Sequence, residues 1–313
     1  MSPDTTTTPL YRGRFAPSPT GLLHFGSLVA ALGSYLDARS HQGQWLLRME
    51  DLDRTREVKG AADGILRDLD AFGFEWDGQV CYQRHRTEAY AEALEQLLRE
   101  GQAYACSCSR KQIADTAPLG EEGPIYPGTC RTRHLQARHA RSIRLLTQDE
   151  EIAFHDRIQG PARQNTGREI GDFVIRRADG FHAYQLAVVV DDAWQGINQV
   201  VRGADLLMST PRQCYLQRLL GLTAPEYAHL PLAVDAVGRK LSKQHDDAPV
   251  DPRQPLNALM QALAFLHQPL PPERPVSLDD FWGWAVTNWS LSAIPAQLRL
   301  PIAPLRQKSQ AER

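Results

Sequence analysis

The sequence predicts an α/β fold, and three observations carry that expectation. Strand-length apolar runs alternate with helical patterns over the first hundred residues; the regularity fails over 106–130, where Cys, Gly and Pro crowd together; and two helical patterns dominate the chain after residue 250.

Taken in order, "YRGRF" (11–15) is a strand, "APSPTG" a Pro/Gly turn, and the next stretch a helical pattern to about residue 41. "QWLLRMED" (44–51) returns to strand, and a helical segment spans about 58–72. After a "WDG" turn, "RHRTEAYAEALEQLLREGQ" (84–102) reads as an amphipathic helix, followed by the short strand "AYAC". The segment 106–130 carries too few apolar residues for a core of its own and needs a staple. β-rich sequence is expected next: "SIRLL" (142–146), "DFVIRRADGFHAYQLAVVVDD" (172–192) with a hairpin turn at Asp179 and Gly180, and "INQVVRGADLL" (197–207). "TPRQCYLQRLLGL" (210–222) is helical with Pro211 just inside its start, and "YAHLPLAVDAVGRKLSKQHDDAPV" (227–250) is a strand running into a polar loop. "PLNALMQALAFLH" and "LDDFWGWAVTNW" supply the two late helices.

Composition narrows the function classes. A chain of 313 residues with 42% hydrophobic content is ordinary globular material. The opening "MSPDTTTTPL" lacks the basic start and apolar stretch of a signal peptide, and "LAVVV" (186–190) is too short to span a bilayer. A cytoplasmic protein without a membrane partner is expected. Five cysteines, an odd number, fit reduced thiols or metal ligands better than a disulfide framework. With a formal net charge of -2, any nucleic-acid partner must be held by a local basic patch.

Two stretches suggest chemistry. Pro17 and Pro19 make "APSPTG" stiff, and Gly21 permits backbone that a side chain would hinder. The helix starting near Gly26 then aims free N–H groups at that turn, as phosphate-binding helices do, with His24 one step before it. "KLSKQ" (240–244) places Lys240 and Lys243 on a polar loop, suited to neutralising charge on an attacked triphosphate.

Together, "HFGS" (24–27) and "KLSKQ" resemble the two ATP signatures of class I aminoacyl-tRNA synthetases, and "GRFAPSPTGLLHFGS" is similar to their glutamate branch. Ser27 stands where the motif has a second histidine, a substitution common in that branch. The resemblance continues through "LLRMEDLDRTR", "DFVIRRADGFHAYQLAVVVDD" and "VVRGADLL" and covers roughly 11–245. It implies a Rossmann-like catalytic domain over 11–245, after a flexible 1–10. An insertion at about 105–205, with a zinc module at about 105–135, would interrupt it, and a short helical region would fill 246–313. It also implies ATP bound with Mg2+ by His24, Gly26, Ser27, Lys240 and Lys243, with His24 and Lys243 catalytic. L-glutamate would be held by Arg14, Phe15, Ala16, Pro17, Ser18, Glu50, Tyr184 and Arg202. Guanidiniums suit its carboxylates and Glu50 its ammonium.

Cys106, Cys108 and Cys130 invite a fourth ligand for tetrahedral, structural Zn2+, with Tyr126, His134 and His139 as candidates. The Cys-x-Cys, Tyr-x-x-x-Cys pattern of one subgroup selects Tyr126. Between the module and the next strand, Arg131, Arg133, Arg138, Arg141 and Arg144 suit either a phosphate grip or a solvated face. Glutamyl-tRNA synthetases continue into an anticodon-reading helical domain that is not expected here, where only two or three helices come after "KLSKQ". Short paralogues with this layout and cysteine pattern are the glutamyl-queuosine tRNA(Asp) synthetases, which the sequence resembles. That family implies a monomer that activates glutamate without tRNA and couples it to queuosine in tRNA(Asp). The alternatives are a truncated glutamyl-tRNA synthetase charging the 3' end of tRNA(Glu), and an inactive RNA-binding paralogue.

Overall fold

The computed structural model describes residues 10–120, 123–133, 135–136, 140–235 and 249–302. β1 (Arg12–Phe15) pairs in parallel with β2 (Gln44–Met49), which pairs in parallel with β3 (Cys81–Tyr82). Between β1 and β2 the chain makes the stiff proline turn, with Gly21 at φ 148°, and then α1 (Phe25–Ser40). Ten of its sixteen residues are buried, because the sheet covers one side and two helices from beyond residue 250 cover the other. Even Asp37 is buried, receiving Tyr11 Oη (2.5 Å), Arg157 Nη1 (2.8 Å) and Trp289 Nε1 (3.1 Å).

α2 (Ala61–Ala71) begins later than the sequence pattern implies, because Gly60 takes a left-handed conformation (φ 79°) immediately before it. α3 (Thr87–Arg99) and β4 (Ala103–Cys106) come next. The cysteine-bearing segment holds only the short α4 (Arg110–Ala114), β5 (Leu119–Gly120) and β6 (Gly123–Pro124). β7 (Ser142–Leu145) runs antiparallel to β4 on one side and to β10 (Val174–Arg176) on the other. A hairpin that periodicity does not reveal, β8 (Glu151–Asp156) and β9 (Gly160–Asn165), lies between them in sequence.

The expected hairpin over 172–192 is only half formed. Its turn exists, with an Arg176–His182 bridge and the Arg177 N–H on the Phe181 carbonyl (2.8 Å), but the chain then enters α5 (Tyr184–Trp194). A short apolar run has no decisive period, and the helix cost of its three valines is a few tenths of a kcal/mol each. Tertiary burial outweighs that. Leu186 to Val189 are all buried beside α3 and α6 (Thr210–Leu219), and Asp191 and Asp192 both find buried partners.

β11 (Gln199–Gly203) leads through a 3-10 turn, where the sequence pattern implies continued strand, into α6 with Pro211 in its first turn. β12 (Glu226–Leu230) pairs in parallel with β11 and, at one position, with β8. β11 also runs beside β1, where the Asn198 N–H donates to the Arg12 carbonyl (3.1 Å). β13 (Leu232–Val234) pairs with β14 (Arg299–Pro301) near the end of the chain.

α7 (Pro255–Phe265) and α8 (Leu278–Thr287) share the core of α1, β1 and β2, with Phe25 edge-on to Phe265 and Trp282 edge-on to Tyr35. A second core joins α3, β4, β7, β10, α5 and α6, so it draws on residues before 105 and after 205. No helix among the described residues is long and apolar enough to cross a membrane.

Gly43 marks a tight approach between α1 and β2. A Cβ there would fall 2.5 Å from the Tyr11 carbonyl oxygen, which the Gln44 N–H holds in place (2.9 Å). Gly43→Ala is expected to destabilise the fold by about 1–3 kcal/mol, seen as a lower denaturant midpoint at unchanged slope.

Candidate active site

A cavity of about 440 Å3 opens beyond the carboxyl ends of β1, β11 and β12. Strand order reverses between β1 and β11, the kind of switch point where parallel sheets leave room for a ligand. Around it stand Arg14, Phe15, Ala16, Pro17, Ser18, Glu50, Tyr184 and Arg202, together with His24, Gly26 and Ser27. Lys240 and Lys243 lie outside the described residues.

Three buried guanidiniums meet here, each held differently. Arg14 donates from Nε and Nη2 to Asp192 (3.1 and 3.5 Å), so it serves a structural acid as well as bordering the cavity. Arg48 donates from Nη1 to Asp192 (2.8 Å) and Gln195 Oε1 (2.7 Å), and its Nη2 lies 3.5 Å from Glu50 Oε1. Residues two apart on a strand share a face, which brings Arg48 and Glu50 together. Arg202 donates from Nε to His229 Nε2 (3.0 Å) and from Nη2 to Thr210 Oγ1 (2.9 Å). Its Nη1 is buried with no hydrogen-bond partner among the described residues. Leaving such a donor unmet costs on the order of 1–3 kcal/mol, so an acceptor delivered there gains that much.

Burial pushes the Glu50 carboxyl above its ordinary range, against the pull of Arg48 and Arg14. A cation beside it would draw that carboxyl back down. Burial, then the charge on Glu50, pushes Tyr184 up to about 12, so its hydroxyl stays protonated at the head of α5. His24 is the N-cap of α1: Nδ1 accepts from the Ser27 N–H (3.2 Å), and Nε2 lies 2.9 Å from Ser27 Oγ. The first turn of α1 carries no acidic residue, so no carboxylate of the helix itself offsets the positive end that borders the cavity.

The Sγ atoms of Cys106, Cys108 and Cys130 lie within 4.8 Å of one another and could hold a metal ion. Tyr126 Oη is 3.4 Å from the sulfurs of Cys106 and Cys108 and accepts the Cys130 N–H at 3.0 Å. Burial raises the Cys130 thiol, but its bonds with Tyr126, Ser107 and Cys108 outweigh that and draw it down to about 6. Thiols this close, one already acidic, fit a soft divalent ion. His134 and His139 lie outside the described residues, and Cys81 and Cys214 are not part of this cluster.

Of the arginine run, Arg131 grips Asp172 through two bonds of 2.7 Å, and Arg144 is buried against Cys106 Sγ (3.4 Å) and the Asp172 carbonyl (2.7 Å). Those two brace the module, Arg144 from inside and Arg131 from its exposed edge. Arg133 and Arg141 are exposed, and Arg138 lies outside the described residues.

Residues 11–258 match the family model of the class I tRNA synthetases (E and Q), catalytic domain. The glutamyl-Q tRNA(Asp) synthetase of Chromobacterium violaceum is 58% identical over 295 residues, 94% of this chain and 99% of that one. Its counterpart in Pseudomonas aeruginosa is 54% identical over 298 residues, 94% of this chain and 98% of that one. The chain belongs to the glutamyl-Q tRNA(Asp) synthetase family of class I. Among solved structures, a glutamate-tRNA synthetase from Elizabethkingia anophelis superposes with a TM-score of 0.77 at 25% identity. That match covers 94% of this chain and 68% of that one.

For a family that activates an amino acid, the positions the sequence left unread are informative. Asp192 holds Arg14 and is shared with Arg48, while His229, backed by Asp156, holds Arg202; none of the four is among the expected site residues, although Arg48 lies within "LLRMEDLDRTR" and Asp192 ends "LAVVVDD". The Arg48/Glu50 spacing and the adjacent acids of "VVVDD" were the available signals.

His229 also predicts a pH response. Burial and the charge on Arg202 lower it from 6.5 to about 4, although its bond with Asp156 works the other way. Between those values the unfolded chain binds a proton that the folded chain refuses, so stability falls as pH drops from about 6.5 to 4, by up to about 3 kcal/mol. Denaturant titrations across that window should show a flatter profile for His229→Gln than for the parent chain.

Proposed function

We propose that this chain activates L-glutamate with ATP, without tRNA, and transfers the glutamyl group to queuosine in tRNA(Asp). The amino-acid half rests above all on the unmet Nη1 of Arg202, buried at a cavity that Arg14, Glu50 and Tyr184 also border. A diacid with one ammonium suits that set: guanidinium donors for carboxylates, a carboxylate for the ammonium and a neutral hydroxyl between. Glutamine cannot pair with arginine as an anion and should bind poorly. The acceptor half is supported by relatives of 52–58% identity, all named glutamyl-Q tRNA(Asp) synthetase, whose lengths this chain nearly matches.

In this reading the substrate carboxylate attacks the α-phosphorus of ATP. His24, Lys243 and the start of α1 stabilise the added charge, and Lys240 and Ser27 hold phosphates. Magnesium would arrive with ATP and would supply neutralising charge for the pyrophosphate that leaves. Phe15, Ala16, Pro17 and Ser18 present backbone and hydroxyl groups to glutamate from a turn whose prolines keep it from shifting. The queuosine diol then attacks the activated carbonyl; AMP is a good leaving group, so positioning carries the second step.

We assign structural zinc to Cys106, Cys108, Tyr126 and Cys130, a closed set that leaves no open position for chemistry. It would supply the staple that the small cluster around Tyr126 cannot supply through apolar packing alone.

Mass analysis of tRNA(Asp) after incubation with ATP and glutamate should show one added glutamyl group. The addition should be absent with tRNA from cells unable to make queuosine, and transfer to tRNA(Glu) instead would reverse the reading. Purified protein should carry one zinc per chain, and Cys108→Ala should lose it by elemental analysis; unchanged content would show the site to be wrongly drawn.

A further inference from the structure

We propose that His229, oriented by Asp156, is a positioning residue that fixes the guanidinium of Arg202 for the substrate carboxylate. The proposal rests on the reading that Arg202 receives that carboxylate. Arg202 and His229 are register partners on the parallel strands β11 and β12. Arg202 Nε meets His229 Nε2 at 3.0 Å, and His229 Nδ1 meets Asp156 Oδ2 at 2.6 Å.

Only one protonation state satisfies both contacts. A guanidinium nitrogen donates and never accepts, so Nε2 must offer its lone pair, and the imidazole proton must sit on Nδ1 and point at Asp156. Asp156 is itself fixed: its Oδ1 accepts the backbone N–H groups of Ile158 (3.0 Å), Gln159 (2.8 Å) and His229 (3.1 Å). The low affinity of buried His229 for a second proton agrees with this geometry. With Nε on His229 and Nη2 on Thr210, the fork of Arg202 has one orientation, and Nη1 is the donor left over. An imidazole carrying its proton on Nε2 would set donor against donor and release that orientation.

Asp156→Asn separates this from a purely structural role. The amide oxygen can keep the backbone bonds, while its NH2 faces Nδ1 and drives the proton to Nε2. Glutamate-dependent pyrophosphate exchange by the full chain should then show a glutamate KM raised about 10- to 100-fold, the loss expected for a hydrogen bond to a charged group. The ATP KM should stay within about twofold. His229→Gln, whose amide oxygen can still accept from Arg202 Nε, should fall closer to the parent chain.

Arg202→Ala is measured in parallel. A raised glutamate KM there with an unchanged one in Asp156→Asn overturns the positioning role and spares the pocket reading. An unchanged KM in Arg202→Ala overturns the pocket reading and the proposal with it. Equal losses toward glutamate and ATP in Asp156→Asn mean a structural role and overturn the proposal. Nitrogen-15 NMR of the His229 ring in the parent chain needs no variant to fold: the Nδ1–H form supports the proposal, and the Nε2–H form overturns it.

Discussion

Asp192 is the constraint on which the arrangement depends. It sits on α5, within the second core, yet its carboxylate is filled by Arg14 from β1 and Arg48 from β2. All three groups are buried, and breaking such a cluster by removing one partner costs about 3–5 kcal/mol. The second core is therefore locked to the sheet through charge rather than through apolar contact alone. The neighbouring Asp191 does the same on the other side, taking Tyr90 (2.6 Å), Gln83 (2.9 Å) and Arg86 (2.5 Å).

That lock also defines the cavity. With Arg14 and Arg48 committed to Asp192, Arg202 forms no salt bridge among the described residues, and its closest partners are a neutral imidazole and a hydroxyl. A guanidinium kept from carboxylates inside the protein stays available to one from outside. The same logic holds at α1, where the absence of an acidic residue in the first turn leaves its dipole for a ligand.

The cysteine module is built on different physics. Its buried cluster is three residues, too small for a hydrophobic core, and order comes from polar contacts. Asp172 collects Arg131, Thr147 and the Tyr104 hydroxyl, and burial, which would raise its carboxyl, is outweighed by those partners. Arg144 lies over the Tyr126 ring at 3.9 Å and reaches Cys106, placing positive charge beside the thiols. A basic run that could pass for a nucleic-acid patch thus commits two of its members, exposed Arg131 and buried Arg144, to scaffolding contacts.

Local chemistry made part of this readable in sequence. Proline dihedrals set the turn before α1, the 3.6-residue period set α3, and the Cys-x-Cys spacing brought two thiols to one place before any fold was known. Resemblance gathered Arg14, Glu50, Tyr184 and Arg202, which border one cavity. What periodicity could not decide was α5, whose valines favour a strand until burial on every side and two anchored acids make it a helix. Nor could it reveal that His229 faces Arg202 or that Asp156 orients it, since those contacts join β8, β12 and β11 across 27 and 73 residues of chain. A hydrogen bond between distant strands leaves no local period, so only the assembled sheet creates it.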